Sequence, residues 1–166
     1  MGRGFAPLLV LLVVFGGALP PAHGDSAIPN AAYARINALR AQSGLAPVTP
    51  DRRLIAAARR HARDMEGNDF TGHVGSDGSN TGSRADAAGY GWRLIAENIA
   101  AGPADALAVI SLWMRSPGHR RNLLTEGVVH AGFAHAARNP GSKRARYENY
   151  WVLVLAAPLP PLHKKR

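Results

Sequence analysis

No cysteine occurs in the 166 residues. Disulfides, thiolate zinc ligands and a lipid-modified N-terminal cysteine are thereby excluded, and an exported domain of this kind must hold together by burial alone. Aromatic residues are few, at 7%, and are not interleaved with the basic ones. No nucleic-acid-reading motif is present, so nucleic-acid binding is not expected. Beyond the N-terminus no apolar run approaches the roughly 20 residues a membrane-spanning helix needs. There is no G-x-S-x-G elbow, no HExxH pair and no internal repeat. Acids are the minority charge, 11 against 20 Lys plus Arg, a net +9. That excess suits anionic envelope components or phosphates. It is equally what solvated arginine-rich helix faces supply, as at Arg52, Arg53, Arg59, Arg60 and Arg63.

What is present begins with export. Met1 to Gly4 is a short positive start, Phe5 to Leu19 is almost wholly apolar, Pro20-Pro21 breaks any helix, and Ala22-His23-Gly24 offers small residues to a signal peptidase. Residues 1–24 therefore read as a secretory signal peptide cleaved near Gly24, the alternative being an uncleaved anchor. The remainder has an ordinary single-domain size, and a secreted or periplasmic monomer is expected. Residues 25–29 form a leader, 30–157 the domain, and 158–166 a basic, proline-rich tail.

Within the domain, Asn30 is placed to cap a helix running to about Ser43, with Ala32, Ile36 and Leu39 inward and Arg35 and Arg40 on the other side. Thr49-Pro50-Asp51 reads as the start of a second helix ending near Glu66, with Leu54, Ala58, His61 and Met65 on one face. Residues 67–90, rich in Gly, Ser, Asp and Asn, read as an ordered loop with a short helix near Ser83 to Ala88. Strand character runs from Trp92 to Ala101. A helix from Ala104 to about Arg115 is apolar nearly all round and is expected to be buried. Ser116-Pro117-Gly118 interrupts it before a short helical turn from His119 to Leu124. Val128 to Ala136 and Tyr147 to Ala156 read as a hairpin. The order predicts an α+β fold: a small antiparallel or mixed sheet covered by helices.

Three segments carry polar residues that could do chemistry: His73 to Ser79 in the loop, Ala96-Glu97-Asn98-Ile99-Ala100 in the strand, and Trp113-Met114-Arg115-Ser116-Pro117-Gly118-His119-Arg120-Arg121-Asn122-Leu123-Leu124 at the helix break. In this order and spacing, from about Ile36 to Leu155, the chain resembles the CAP superfamily, also called SCP-like. Its members include cysteine-rich secretory, venom antigen and pathogenesis-related proteins. The bacterial branch is the nearer match, with its GENIA strand and its WMNSPGHRxNIL helix end. The resemblance implies an α-β-α sandwich with long ordered loops and a cleft holding a His-Glu-Glu-His set. His73, Glu97 and His119 fall on three of those positions. The fourth, three residues after Trp113, is Ser116 here, a serine that bacterial members commonly carry. Ala96 replaces the usual glycine, and Thr125-Glu126-Gly127 replaces an acidic-asparagine turn.

Two imidazoles and a carboxylate are a reasonable zinc set with an open fourth position, and such a site can activate water. The resemblance also implies it, since some CAP proteins bind divalent metal in the cleft. The other reading is a hydrogen-bonded cluster with no metal, Glu97 orienting an imidazole. Ser76 and Asp77 are expected to pin the loop, Asn98 to bond backbone beside Glu97, and Ser116 to cap the turn before His119 rather than to act as a nucleophile. His61 is expected in the core, and His130 and His135 at the flanks of a strand. Trp113 is expected in the core; Trp92 and Trp151 are open between core and ligand contact. Three functions remain: a module binding a lipid, small molecule or envelope component; a metal-assisted hydrolase of peptide or envelope polymer; and a structural or host-interaction protein. Whether the chain is an enzyme is not decided by these residues.

Overall fold

A computed structural model describes residues 27–141 and 145–160. The expected signal peptide and the end of the basic tail lie outside the described residues. The elements in order are α1 (Ala27–Gln42), β1 (Thr49–Pro50), α2 (Arg52–Asn68), α3 (Thr81–Ala87), β2 (Trp92–Ala101), α4 (Ala106–Arg115), α5 (Pro117–Leu123), β3 (His130–Ala137) and β4 (Asn149–Pro158). The four strands lie in the order β1-β3-β4-β2. β1 is parallel to β3, and the other two pairings are antiparallel.

β4 explains the layering. It lies between β3 and β2, and its residues from Tyr150 to Ala157 are buried without a break. Trp151, Leu153 and Leu155 join α1 and α4 in one core, with Ile36, Val109, Ile110 and Trp113. Tyr150, Val152, Val154 and Ala156 join α2 in the other, with Leu54, Ala58, Ala62 and Met65. The period-two alternation of the strand thus feeds two cores, one on each face. The result is the helix-covered sheet expected from the order of elements, in the α-β-α arrangement that the resemblance implies.

The approach of α2 to the sheet is set by Gly132. A Cβ at that position would fall inside the backbone of Leu54 and Ile55. Only a glycine on β3 lets the helix lie this close.

Several local expectations are corrected. α1 begins before Asn30, which lies inside the helix rather than capping it. Arg40, expected on the solvent side of α1, is 1% exposed and donates to the carbonyls of Ala46, Leu123 and Thr125. Thr49 and Pro50 do not open α2; they pair with His130 and Ala131 of β3. A proline is tolerated there because β1 is an edge strand. Asp51 is the cap, its side chain accepting from the Arg53 amide. α4 buries one face only: Leu107 and Leu112 are 50% and 39% exposed. β4 extends through Pro158, where the sequence placed the start of the tail. His130 and His135 lie within β3, half-buried, the former hydrogen-bonded through Nδ1 to the Tyr90 hydroxyl and the latter stacked on Trp151. No helix among the described residues is long and apolar enough to cross a membrane.

Candidate functional site

β2 is an edge strand, so its outer border is open, and successive side chains point to opposite faces. Glu97 points towards α3 and Asn98 towards α5. Each organises one wall of a groove.

Glu97 is buried, and both of its oxygens are committed. Oε1 accepts from His73 Nδ1 at 2.8 Å, and Oε2 accepts from the Arg84 guanidinium at 2.8 Å. Arg84, itself 2% exposed, also donates to the carbonyls of His73 (3.1 Å) and Ser79 (2.9 Å). One cation therefore ties both ends of the loop to the strand. α3 holds it in place through a reciprocal capping box between Asn80 and Ser83. Burial pushes the Glu97 carboxyl up, but the His73 hydrogen bond and the Arg84 charge outweigh it, and the group lies below its ordinary value.

The rest of the loop is pinned as its residue types suggest. Ser76 N donates to Asp64 at 2.8 Å, and the Ser76 hydroxyl donates to the same carboxylate. Asp77 accepts from the Ser79 amide at 2.9 Å and pairs with Arg60. Beneath it, fully buried His61 reaches the Gly72 carbonyl at 2.8 Å. Because a carbonyl only accepts, His61 Nε2 carries the proton; burial lowers its pKa, so the ring is neutral.

On the other wall, Asn98 Nδ2 donates to the His119 carbonyl, and Asn98 Oδ1 accepts from Asn122 Nδ2, each at 2.9 Å. Asn122 Nδ2 also donates to the Glu97 carbonyl at 2.9 Å. Arg40 completes the support by satisfying carbonyls at the C-terminal end of α5. Ser116 stands at the N-cap of α5, yet its side chain makes no capping bond, contrary to the role expected for it. Pro117 at the first helical position fixes the turn instead.

The groove between these walls has a volume of about 510 Å³. His73 and Glu97 line it with Asn80, Thr81 and Gly82 of α3, Trp92, Ile95 and Ala96 of β2, and Asn122 of α5. His119 and Ser116 do not line it. His119 is half-buried, its ring 6.5 Å from that of Trp113. Burial lowers its pKa, and the nearby His73 charge lowers it further. Its Nδ1 is buried without a partner among the described residues. The structure thus joins His73 to Glu97 directly, links Asn98 to the backbone of His119, and leaves Ser116 apart.

The donor set does not suit zinc as expected. Glu97 is not offered to an ion, because His73 and Arg84 hold both oxygens and Arg84 opposes a second cation. No group of three or more His, Asp or Glu side chains among the described residues is arranged to hold a metal. What remains is two imidazoles, with Glu97 behind His73 as an orienting carboxylate. The three-ligand set expected from the sequence is not assembled.

The His73–Glu97 bond has a measurable signature. It raises the His73 pKa above its usual value, against an opposing effect of burial. A group raised on folding stabilises fully below its unfolded value, near 6.5, and loses that contribution as pH rises through the folded value. Unfolding free energy is therefore expected to decline above about pH 6.5 more steeply in the wild type than in His73→Gln. Urea denaturation at a series of pH values checks this; parallel curves would show that His73 gains nothing from Glu97.

Arg84 and Asn122 escaped sequence reading as site residues. Arg84 had one signal: it is the sole Lys or Arg between Arg63 and Arg93, set among small residues. Asn122 lay in the quoted helix-end motif but was given no role.

Comparisons with known proteins give the family and the fold. Residues 33–155 match the model of the CAP, cysteine-rich secretory protein family. An uncharacterized protein of Bacillus subtilis, YkwD, is 30% identical over 99 residues, which is 60% of this chain and 38% of that protein. An extracellular SCP-domain protein from Bacillus anthracis superposes with a TM-score of 0.66 at 25% identity, covering 76% of this chain and 39% of its own. An outer surface protein of Borrelia burgdorferi gives a TM-score of 0.68 at 20% identity, covering 79% of this chain and 92% of its own. The last shows the fold alone. The chain spans well under half the length of the first two.

Proposed function

The chain belongs to the CAP, or cysteine-rich secretory protein, family, and from that premise we propose that it is an exported module that binds a small ligand or envelope component in the groove along β2. The observation that carries this reading is the state of His73. Glu97 accepts from Nδ1, so Nε2 is left as a fixed polar atom on an exposed side chain at the groove, an acceptor in the neutral ring and a donor in the imidazolium. This is what orienting a ligand requires.

The hydrolase reading has less behind it. Hydrolysis through a nucleophile needs a hydroxyl held by a base. Ser116 is outside the groove. Thr81 lines it, but its hydroxyl meets the Arg84 guanidinium, at the long distance of 3.5 Å, and a guanidinium is no base. Glu97, the buried carboxylate, has no free oxygen with which to activate water. Metal-assisted hydrolysis would need a metal site, and His73, Glu97 and His119 do not assemble one among the described residues. The binding reading does not depend on a metal. The exposed arginines of α2, among them Arg52, Arg59 and Arg63, support attraction to an anionic envelope.

The test is an NMR titration of the labelled protein with fractions of a soluble envelope digest. The expected result is saturable movement of the His73 ring and Asn122 side-chain amide signals, weakened roughly tenfold in His73→Gln, as for one hydrogen bond of about 1.5 kcal/mol. Signals that stay fixed with every fraction would sink the reading. So would breakdown of a fraction that ceases in His73→Gln, which makes the groove an active site.

A further inference from the structure

Three tryptophans occur in the chain, and two are spent on the core. Trp113 and Trp151 are 0% and 1% exposed. Their indole N–H groups donate to the carbonyls of Ile99 (3.1 Å) and Pro103 (2.8 Å). That is the ordinary fate of a buried indole. Trp92 differs. It is half-buried, lines the groove beside His73, and its N–H has no partner among the described residues.

Two further features hold it there. The pairing of β2 with β4 shifts register between Trp92 and Leu94; such irregularities re-aim a side chain at the edge of a sheet. α3 also makes room for the ring at Gly82, where a Cβ would lie 2.5 Å from Trp92 Cζ2 and 3.1 Å from Cε2. The alanines around it show that small side chains suit α3, but at this position even a methyl group is too large. Strand register and helix composition, which are set independently, both serve one placement.

The remaining chemistry of the groove narrows its ligand. An aromatic wall stands beside an indole N–H donor, the His73 Nε2 (acceptor in the neutral ring, donor in the imidazolium) and the side-chain carbonyl of Asn122, for which no partner occurs among the described residues. The two lining or adjoining charges, Glu97 and Arg84, neutralise each other at 2.8 Å. No unpaired cation among the described residues lines the groove to receive a phosphate or carboxylate. The complement is a neutral molecule with one apolar face and a rim of hydroxyl or amide groups. A sugar ring has that form: its axial C–H groups present a flat apolar face, and its equatorial substituents donate and accept hydrogen bonds.

We propose that the ligand of the groove is a glycan, with one sugar ring stacked on Trp92 and its substituents hydrogen-bonded to His73 and Asn122. This rests on the binding reading above and names its ligand class. The experiment titrates the full labelled protein with chitotetraose, cellotetraose and maltotetraose, following the Trp92 indole N–H signal and intrinsic fluorescence. At least one is expected to move that signal saturably. Trp92→Ala is expected to weaken binding at least about fivefold, within the range of aromatic stacking, and Trp92→Phe to retain most of it. Gly82→Ala, which displaces the ring without removing it, is expected to weaken binding while the melting transition stays cooperative. The glycan proposal is overturned if none of the three sugars moves the signal, or if Trp92→Ala and Gly82→Ala both bind as the wild type does. If envelope fractions still move His73 while no sugar moves Trp92, the binding reading stands and the glycan alone is excluded.

Discussion

Arg84→Met is expected to lower the unfolding free energy by about 3–5 kcal/mol, a large part of the about 5–15 kcal/mol that holds a domain of this kind together. Methionine fills much of the same space, so the loss is electrostatic. Glu97 would remain buried with only the His73 imidazole beside it, and a buried charge that loses its cation costs far more than the pair is favourable. The carbonyls of His73 and Ser79 would lose their donor in the same step. Glu97→Gln alone should also destabilise, since it leaves Arg84 unpaired. The double variant should recover part of the sum, because neither charge then remains alone. Urea denaturation of the four proteins measures the cycle. A loss below about 1 kcal/mol in Arg84→Met would place the pair with surface ion pairs instead. Arg84→Met should also release the loop end of the groove, so the His73 ring signal should lose the single sharp resonance that a fixed Nδ1–H bond gives.

Gly132→Ala is the second large effect. Added methyl groups in a packed core cost about 1–3 kcal/mol when side chains can shift aside. Here the obstacle is the α2 backbone at Leu54 and Ile55. The helix must lift off the sheet, loosening the core formed by Leu54, Ala58, Ala62 and Met65. A loss of roughly 3 kcal/mol or more is expected, at the upper end of that range. Gly67→Ala is the matched control. Gly67 lies within α2 with open space around its Cα, and alanine there should stabilise by about 0.5–1 kcal/mol. Thermal and urea unfolding of both variants checks the contrast. A loss at Gly132 of no more than about 1 kcal/mol would mean that α2 does not depend on the close contact with β3.

Much of this molecule was legible along the chain. β2 has the limits its composition predicts, and the apolar face of α2 is the face that is buried. Two imidazole segments and the Glu97 strand were singled out by their polar residues, and the resemblance to the CAP superfamily joined them into one site. What escaped reading has a common cause. Arg40 looks like a surface residue because its neighbours in α1 alternate correctly. Its partners Leu123 and Thr125 lie 83 and 85 positions away. The pairing of Thr49 and Pro50 with β3 spans a similar distance, so the local start signal at Asp51 was read one element too early. The exposure of Leu107 and Leu112 follows from where α1 happens to lie beside α4. No periodicity within α4 encodes that.

The sequence by itself determined the class of the fold, the order of its elements and the residues able to do chemistry. Those depend on propensity, alternation and side-chain type, which are local. The tertiary structure decided how those residues are used. It turned Glu97 from a candidate ligand into a buried carboxylate shared by His73 and Arg84. It left His119 out of the groove's lining, with a buried Nδ1 that has no partner among the described residues. It also separated Trp92 from the two core tryptophans. Each outcome depends on which atoms compete for a given oxygen or N–H once distant segments meet, and only the folded chain brings those competitors together.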